Sequence, residues 1–212
     1  MKSRKVLITL GLIVLAIASF SAYFFNKINS KKYTLDETAE LIMKCKKEEA
    51  IKAIKNLDGD INQSFAKGRK LIHYSVQYCD LDVVKELVKN GADINSRDEK
   101  GRTPIHYAAK WDKVEIIKFL VNQGADVNSK SYSDATPLMT ASSQGSIETV
   151  RTLLDLGANI NIQDKNGNTA LHWAYARQDK RNKSEIIELL ISRGANRNIK
   201  NIYGETPSLD LK

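Results

Sequence analysis

One interval governs the chain: 33 residues. Gly101, Asp134 and Gly167 stand at that spacing, and so do Thr103, Thr136 and Thr169. A closing phrase recurs as GADIN (Gly91–Asn95), GADVN (Gly124–Asn128), GANIN (Gly157–Asn161) and GANRN (Gly194–Asn198), with a weaker DGDIN at Asp58–Asn62. A fixed period of this size signals an array of like units, each too small to bury its own apolar face and therefore stacked on its neighbours. Few folds satisfy that condition.

The most regular copy, Gly101–Asn128, shows what the unit is. Thr103-Pro104 is a helix start: a Thr hydroxyl caps free backbone N–H groups and Pro suits the first helical position. Ala108 and Ala109 are too small to hold neighbours apart. A second apolar run, Val114–Val121, ends at Gly124 as a left-handed cap ends a helix. The unit is two short helices joined by a tight turn. The period, the TPxH-like start and the GAD-x-N ending resemble ankyrin repeats, from about Leu35 to the C-terminus.

That resemblance implies an all-α solenoid of stacked helix–turn–helix units with hairpin-like loops. The units expected are 35–67, 68–100, 101–133, 134–166 and 167–203, with a partial sixth at 204–212. The first is degenerate and polar, as a terminal cap requires; Asp36 or Thr34 caps its first helix, which runs to about Lys46, and Glu49–Lys55 forms its second. Met139 replaces histidine in the fourth unit. The fifth is longer by four residues, in Arg177–Ser184 between its helices. The basic charges of that insertion suit an extra partner contact or anionic lipid headgroups, and a tolerated surface loop is the plainer reading. Core positions are Ile105, Ala108, Ile117, Leu120 and their counterparts. Leu120→Ala should cost about 2–5 kcal/mol, and a measured loss under about 0.5 would remove Leu120 from the core.

Ahead of the repeats, residues 1–5 form a short basic tail, and Val6–Phe25 is a run of 20 residues without a charge. That length crosses a bilayer as a helix. A single-pass transmembrane anchor, with Tyr23, Phe24 and Phe25 at the interface, fits its full length. The alternative is a signal peptide cleaved near Ala18, which yields a periplasmic or secreted protein acting as an inhibitor, immunity-type or host-directed binder. Basic residues flank the run equally, Lys2, Arg4 and Lys5 before it and Lys27, Lys31 and Lys32 after it. A short tail of this kind usually stays in the cytoplasm, which places the repeats outside. Residues 26–34 are a linker.

Nothing in the chain is organised for catalysis. Its three histidines, His73, His106 and His172, share one repeat position, and side chains repeating every 33 residues do not converge on a metal. In ankyrin repeats this histidine ties loop to helix start. No phosphate-binding glycine loop is present, and carboxylates such as Asp98 and Glu99 read as solvated loop charges. Neither an enzyme, a cofactor, a metal nor a small-molecule substrate is expected. The net charge is +8, of which three belong to the tail; 30 basic against 25 acidic residues leave +5 on the rest, too diffuse for nucleic acid. Cys45 and Cys79 fall at near-equivalent places on adjacent units, and stacked helices about 8–10 Å apart argue against a disulfide.

What remains is surface. In the family resembled, a protein partner docks on the loop tips and the exposed side of the first helices. By position this gives Arg69, Tyr74 and Tyr78 in the second unit and Glu99, Lys100, Arg102, Tyr107, Lys110 and Trp111 in the third. The fourth supplies Tyr132 and Gln144, and the fifth Lys165, Trp173 and Arg177. Tyr74, Tyr107 and Trp173 share the position after the histidine, a row of residue types enriched at binding hot spots. The competing reading is that these rings only pack. If they are free, Tyr107→Ala or Trp111→Ala weakens binding with little change in thermal stability. The expected molecule is a monomer that binds a protein and is held at the membrane by Val6–Phe25.

Overall fold

A computed structural model describes residues 31–177 and 182–207. The expected membrane segment therefore lies outside the described residues. So do the centre of the fifth unit's insertion and the end of the partial sixth unit. Among the described residues no helix is long and apolar enough to cross a membrane.

The helices come in pairs, as the period requires. They are α1 (Leu35–Met43) and α2 (Lys47–Lys55), α3 (Leu71–Tyr78) and α4 (Leu81–Lys89), α5 (Pro104–Lys110) and α6 (Val114–Asn122), α7 (Pro137–Gln144) and α8 (Ile147–Asp155), and α9 (Ala170–Tyr175) and α10 (Lys183–Ser192). No strand occurs among the described residues, only an isolated bridge between Tyr33 and Leu57. Thr34, not Asp36, caps α1, completing a reciprocal box with Glu37. The first helix stops three residues short of its expected end, and α2 starts two residues early.

Each first helix packs on the next first helix, from α1 through α9, and each second helix on the next second helix. The core is the seam between these layers. Ile105, Ala108, Ile117 and Leu120 are all buried, as are Ile72, Leu138 and Leu171 at the first position and Leu87, Leu153 and Leu190 at the last. Small residues at the Ala108 position (Ser75, Ala141, Ala174) let adjacent first helices approach closely.

The loops stack as well, through one backbone bond per unit. Glu99 N–H donates to Lys67 O, Tyr132 N–H to Lys100 O, Lys165 N–H to Ser133 O and Ile202 N–H to Asn166 O, at 2.9–3.0 Å. At each tip a residue takes positive φ, and Gly101 shows why glycine serves there: a Cβ would meet the Tyr132 amide nitrogen at 2.7 Å. At the far edge, Asn62, Asn128 and Asn161 of the closing phrases accept N–H bonds from Asp93, Asn159 and Asn196 of the following unit at 2.7–2.8 Å. The repeated asparagine is thus an inter-unit clamp.

Candidate functional site

The first helices start with a shared device. Thr103 N–H donates to His106 Nδ1 at 3.2 Å, and Thr169 N–H to His172 Nδ1 at 3.1 Å; Lys70 N–H does the same to His73. With Nδ1 accepting, Nε2 carries the proton. It points at a carbonyl of the following loop: Ala135 O at 2.9 Å from His106, Glu205 O at 3.1 Å from His172, and both Ser96 O and Arg102 O from His73. Each imidazole therefore joins its own helix start to the next unit. Burial, which disfavours the charged ring, lowers His73 and His106 to about 4. The histidines are structural ties, and among the described residues no group of His, Cys, Asp and Glu is placed to hold a metal.

The third unit adds a second network, and it corrects two expectations. Asp98 is not a solvated loop charge: its side chain is 1 % exposed. One carboxylate oxygen accepts N–H bonds from Lys100 and Arg102; the other accepts from Arg102 Nε at 2.9 Å and from the Tyr107 hydroxyl at 2.8 Å. Burial works against ionisation of Asp98, but the hydrogen bonds of Arg102, Tyr107 and Lys100 outweigh it and hold the carboxyl below its usual range. Burial, reinforced by that carboxylate, pushes the Tyr107 phenol up to about 12. The signal overlooked in the sequence is the recurrence of the same aspartate at Asp164, 8 % exposed, which accepts from Asn166 and Asn168 N–H in the same way.

The second correction concerns the aromatic row. Tyr107 is buried, with the Arg102 guanidinium 4.9 Å over its ring and His73 edge-on at 5.3 Å. Tyr74 is buried too, between Phe65 and Arg69, and Arg69 also donates to Gln77. At these two positions the packing reading holds. Trp173, at the same repeat position, is 36 % exposed and anchored at one edge by a 3.0 Å bond from its indole N–H to Asp164. In the fourth unit Thr140 leaves a shallow hollow bordered by Arg102, Tyr107, Lys110 and Gln144.

The remaining candidates divide cleanly. Arg102 is half-buried and engaged; Arg177 is half-buried, donates to Ser143 O and leans on Gly145. Tyr78, Glu99, Lys100, Lys110, Trp111, Tyr132, Gln144 and Lys165 are exposed, with Lys110 Nζ 5.4 Å from the Trp111 ring. The structure also exposes Ile202 and Tyr203, which sequence reasoning did not select; they occupy the tip positions of Lys165 and Asn166 one stretched period on.

The family model described as ankyrin repeats, in three copies, matches residues 38–131 and 130–201. The chain belongs to the ankyrin-repeat family. No curated protein is similar enough to count as a relative. Ankyrin repeats generally mediate protein–protein interaction and are typically non-enzymatic scaffolds. On this ankyrin array, tips and first helices present lysines beside large aromatic and aliphatic surfaces, with the polar ties that hold the units together buried beneath.

Proposed function

We propose that this protein is a membrane-anchored interaction scaffold whose repeats bind a protein partner on the loop tips and first helices. One observation carries the reading. Trp111, Tyr132, Trp173, Ile202 and Tyr203 are large apolar side chains left exposed on tips and first helices. Large apolar side chains left exposed, with charged residues (Lys100, Lys110, Lys165) exposed on the same tips and first helices, are what a partner-binding face uses. The charge-free run Val6–Phe25 supports the anchor, and the small residues Ala16-Ile17-Ala18 leave export with cleavage near Ala18 as the second reading.

Photo-crosslinking residues placed singly at Trp111, Lys110 and Tyr132, with Lys118 on a second helix as control, test the face in the protein's own cell. Discrete adducts from the first three positions and none from Lys118 are expected. Adducts from Lys118 alone would move the interface elsewhere. The mass of the mature chain tests the anchor: retention of Val6–Phe25 supports it, and a start just after Ala18 replaces it with export.

A further inference from the structure

The two cysteines meet at one level of the stack. Cys45 lies in the turn between α1 and α2, exposed, with φ of +46°. Cys79 closes α3 one unit along and is 2 % exposed. A single carbonyl, Ile42 O, accepts from both: the Cys45 backbone N–H at 2.9 Å and the Cys79 thiol at 3.1 Å. The Cys79 sulfur is therefore no more than 6.0 Å from the Cys45 amide nitrogen, which is one bond from its Cα. The Cys45 side chain is itself within hydrogen-bonding reach of the Cys79 thiol, the proximity that disulfide closure needs. Both thiols are free in this structure, as the spacing between helix axes implies, yet the turns of successive units touch where the axes do not. Further along the stack the Thr149 hydroxyl donates to Asp112 at 2.5 Å and the Asn182 amide to Gly145 O at 3.2 Å.

We propose that Cys45 and Cys79 form a reversible intramolecular disulfide that staples the first unit to the second. The exposed Cys45 thiolate attacks one sulfur of an incoming disulfide, supplied by oxidised glutathione or a thiol–disulfide oxidoreductase. A mixed disulfide forms and one thiolate leaves. The Cys79 thiolate then attacks the Cys45 sulfur and displaces the second thiol. In total two thiols lose two protons and two electrons, and the incoming disulfide becomes two thiols. Burial, with the neighbouring Cys45, pushes the Cys79 thiol above its usual range, so closure is the slow step and quickens at alkaline pH.

The terminal unit is where a staple has most effect. It has a neighbour on one side only among the described helices, and its ion pairs to the second unit, Lys47 with Asp80 and Asp82, are exposed and contribute little. Closing the 34-residue interval from Cys45 to Cys79 should raise the melting temperature by about 5–10 °C.

The test uses the full chain in detergent, equilibrated with oxidised glutathione, quenched with iodoacetamide in denaturant so that a reduced Cys79 also reacts, and weighed intact. The expected product is a monomer about 2 Da lighter than the reduced chain, carrying no alkyl group. It should melt higher than the same sample treated with dithiothreitol, and Cys45→Ser, an exposed change, should lose that difference. Two alkylated thiols under excess oxidised glutathione would overturn the proposal. So would a stable glutathione adduct on Cys45, a cross-linked dimer, or an oxidant-dependent melting shift that survives in Cys45→Ser.

Discussion

The third and fourth units share a backbone and differ in how they are held. At the third unit's first helix and the loop before it, Asp98, Arg102 and Tyr107 form a connected set of buried or half-buried polar contacts, and His106 separately ties Thr103 to Ala135 O. In the fourth, the same positions carry Met139, Ser131, Ala135 and Thr140, and the contacts thin out. Met139 offers only its sulfur to Thr136 N–H at 3.4 Å, and Thr140 bonds back to its own helix at Thr136 O. Both units nonetheless bury Leu120 or Leu153 completely and donate through the same loop bond. The apolar seam and the loop ladder therefore define the unit, and the polar network is an addition whose strength varies from copy to copy. A residue in that network contributes to holding the fold.

The difference is open to attack by substitution. Tyr107→Ala removes a buried ring and one of the four bonds to the Asp98 carboxylate, and should cost about 3–5 kcal/mol. Thr140→Ala at the equivalent place should cost under about 1 kcal/mol. Equal losses in urea denaturation would erase the contrast.

Acid should act through the histidines. His106 titrates at about 4 in the folded chain against an ordinary 6.5, so the unfolded chain takes up its proton first. Stability is thus complete above about pH 6.5 and falls as pH drops toward 4, by about 3 kcal/mol at pH 4 for His106 and as much again for His73. His106→Met copies the fourth unit and should flatten the profile by His106's share. An unchanged slope would show that the imidazole is not held neutral by the fold.

The reverse exchange has the smaller effect. Met139→His gives Thr136 N–H a nitrogen acceptor and directs an Nε2–H toward Asn168 O. It should add about 1 kcal/mol at pH 8. A loss there would mean that the fourth unit's packing around the Met139 side chain outweighs the bond.

Most of the fold was legible because a period of 33 residues leaves few alternatives, and because core positions repeat with it: Ile105, Leu138 and Leu171 could be read as one position. His106 was legible for the same reason. Asp98 was not, since its burial comes from the Arg102 and Tyr107 side chains folding over a loop that looks polar and open in sequence. Tyr107 and Trp173 show the limit from the other side. They share a repeat position and an aromatic character, yet an arginine five residues earlier covers one ring, and Asn168 in that place leaves the other half open. Exposure at this face is decided by such local pairings and not by the period.

The division between residues that hold the fold and residues left for a partner is tested most directly by two neighbours on one helix face. Unfolding of Tyr107→Ala and Trp111→Ala should be measured side by side in urea. Tyr107→Ala is expected to lose several kcal/mol, about 3–5, and Trp111→Ala, 44 % exposed in the parent chain, less than about 0.5. A Trp111→Ala loss as large as that of Tyr107→Ala would make Trp111 part of the fold and contradict the assignment of this face to a partner.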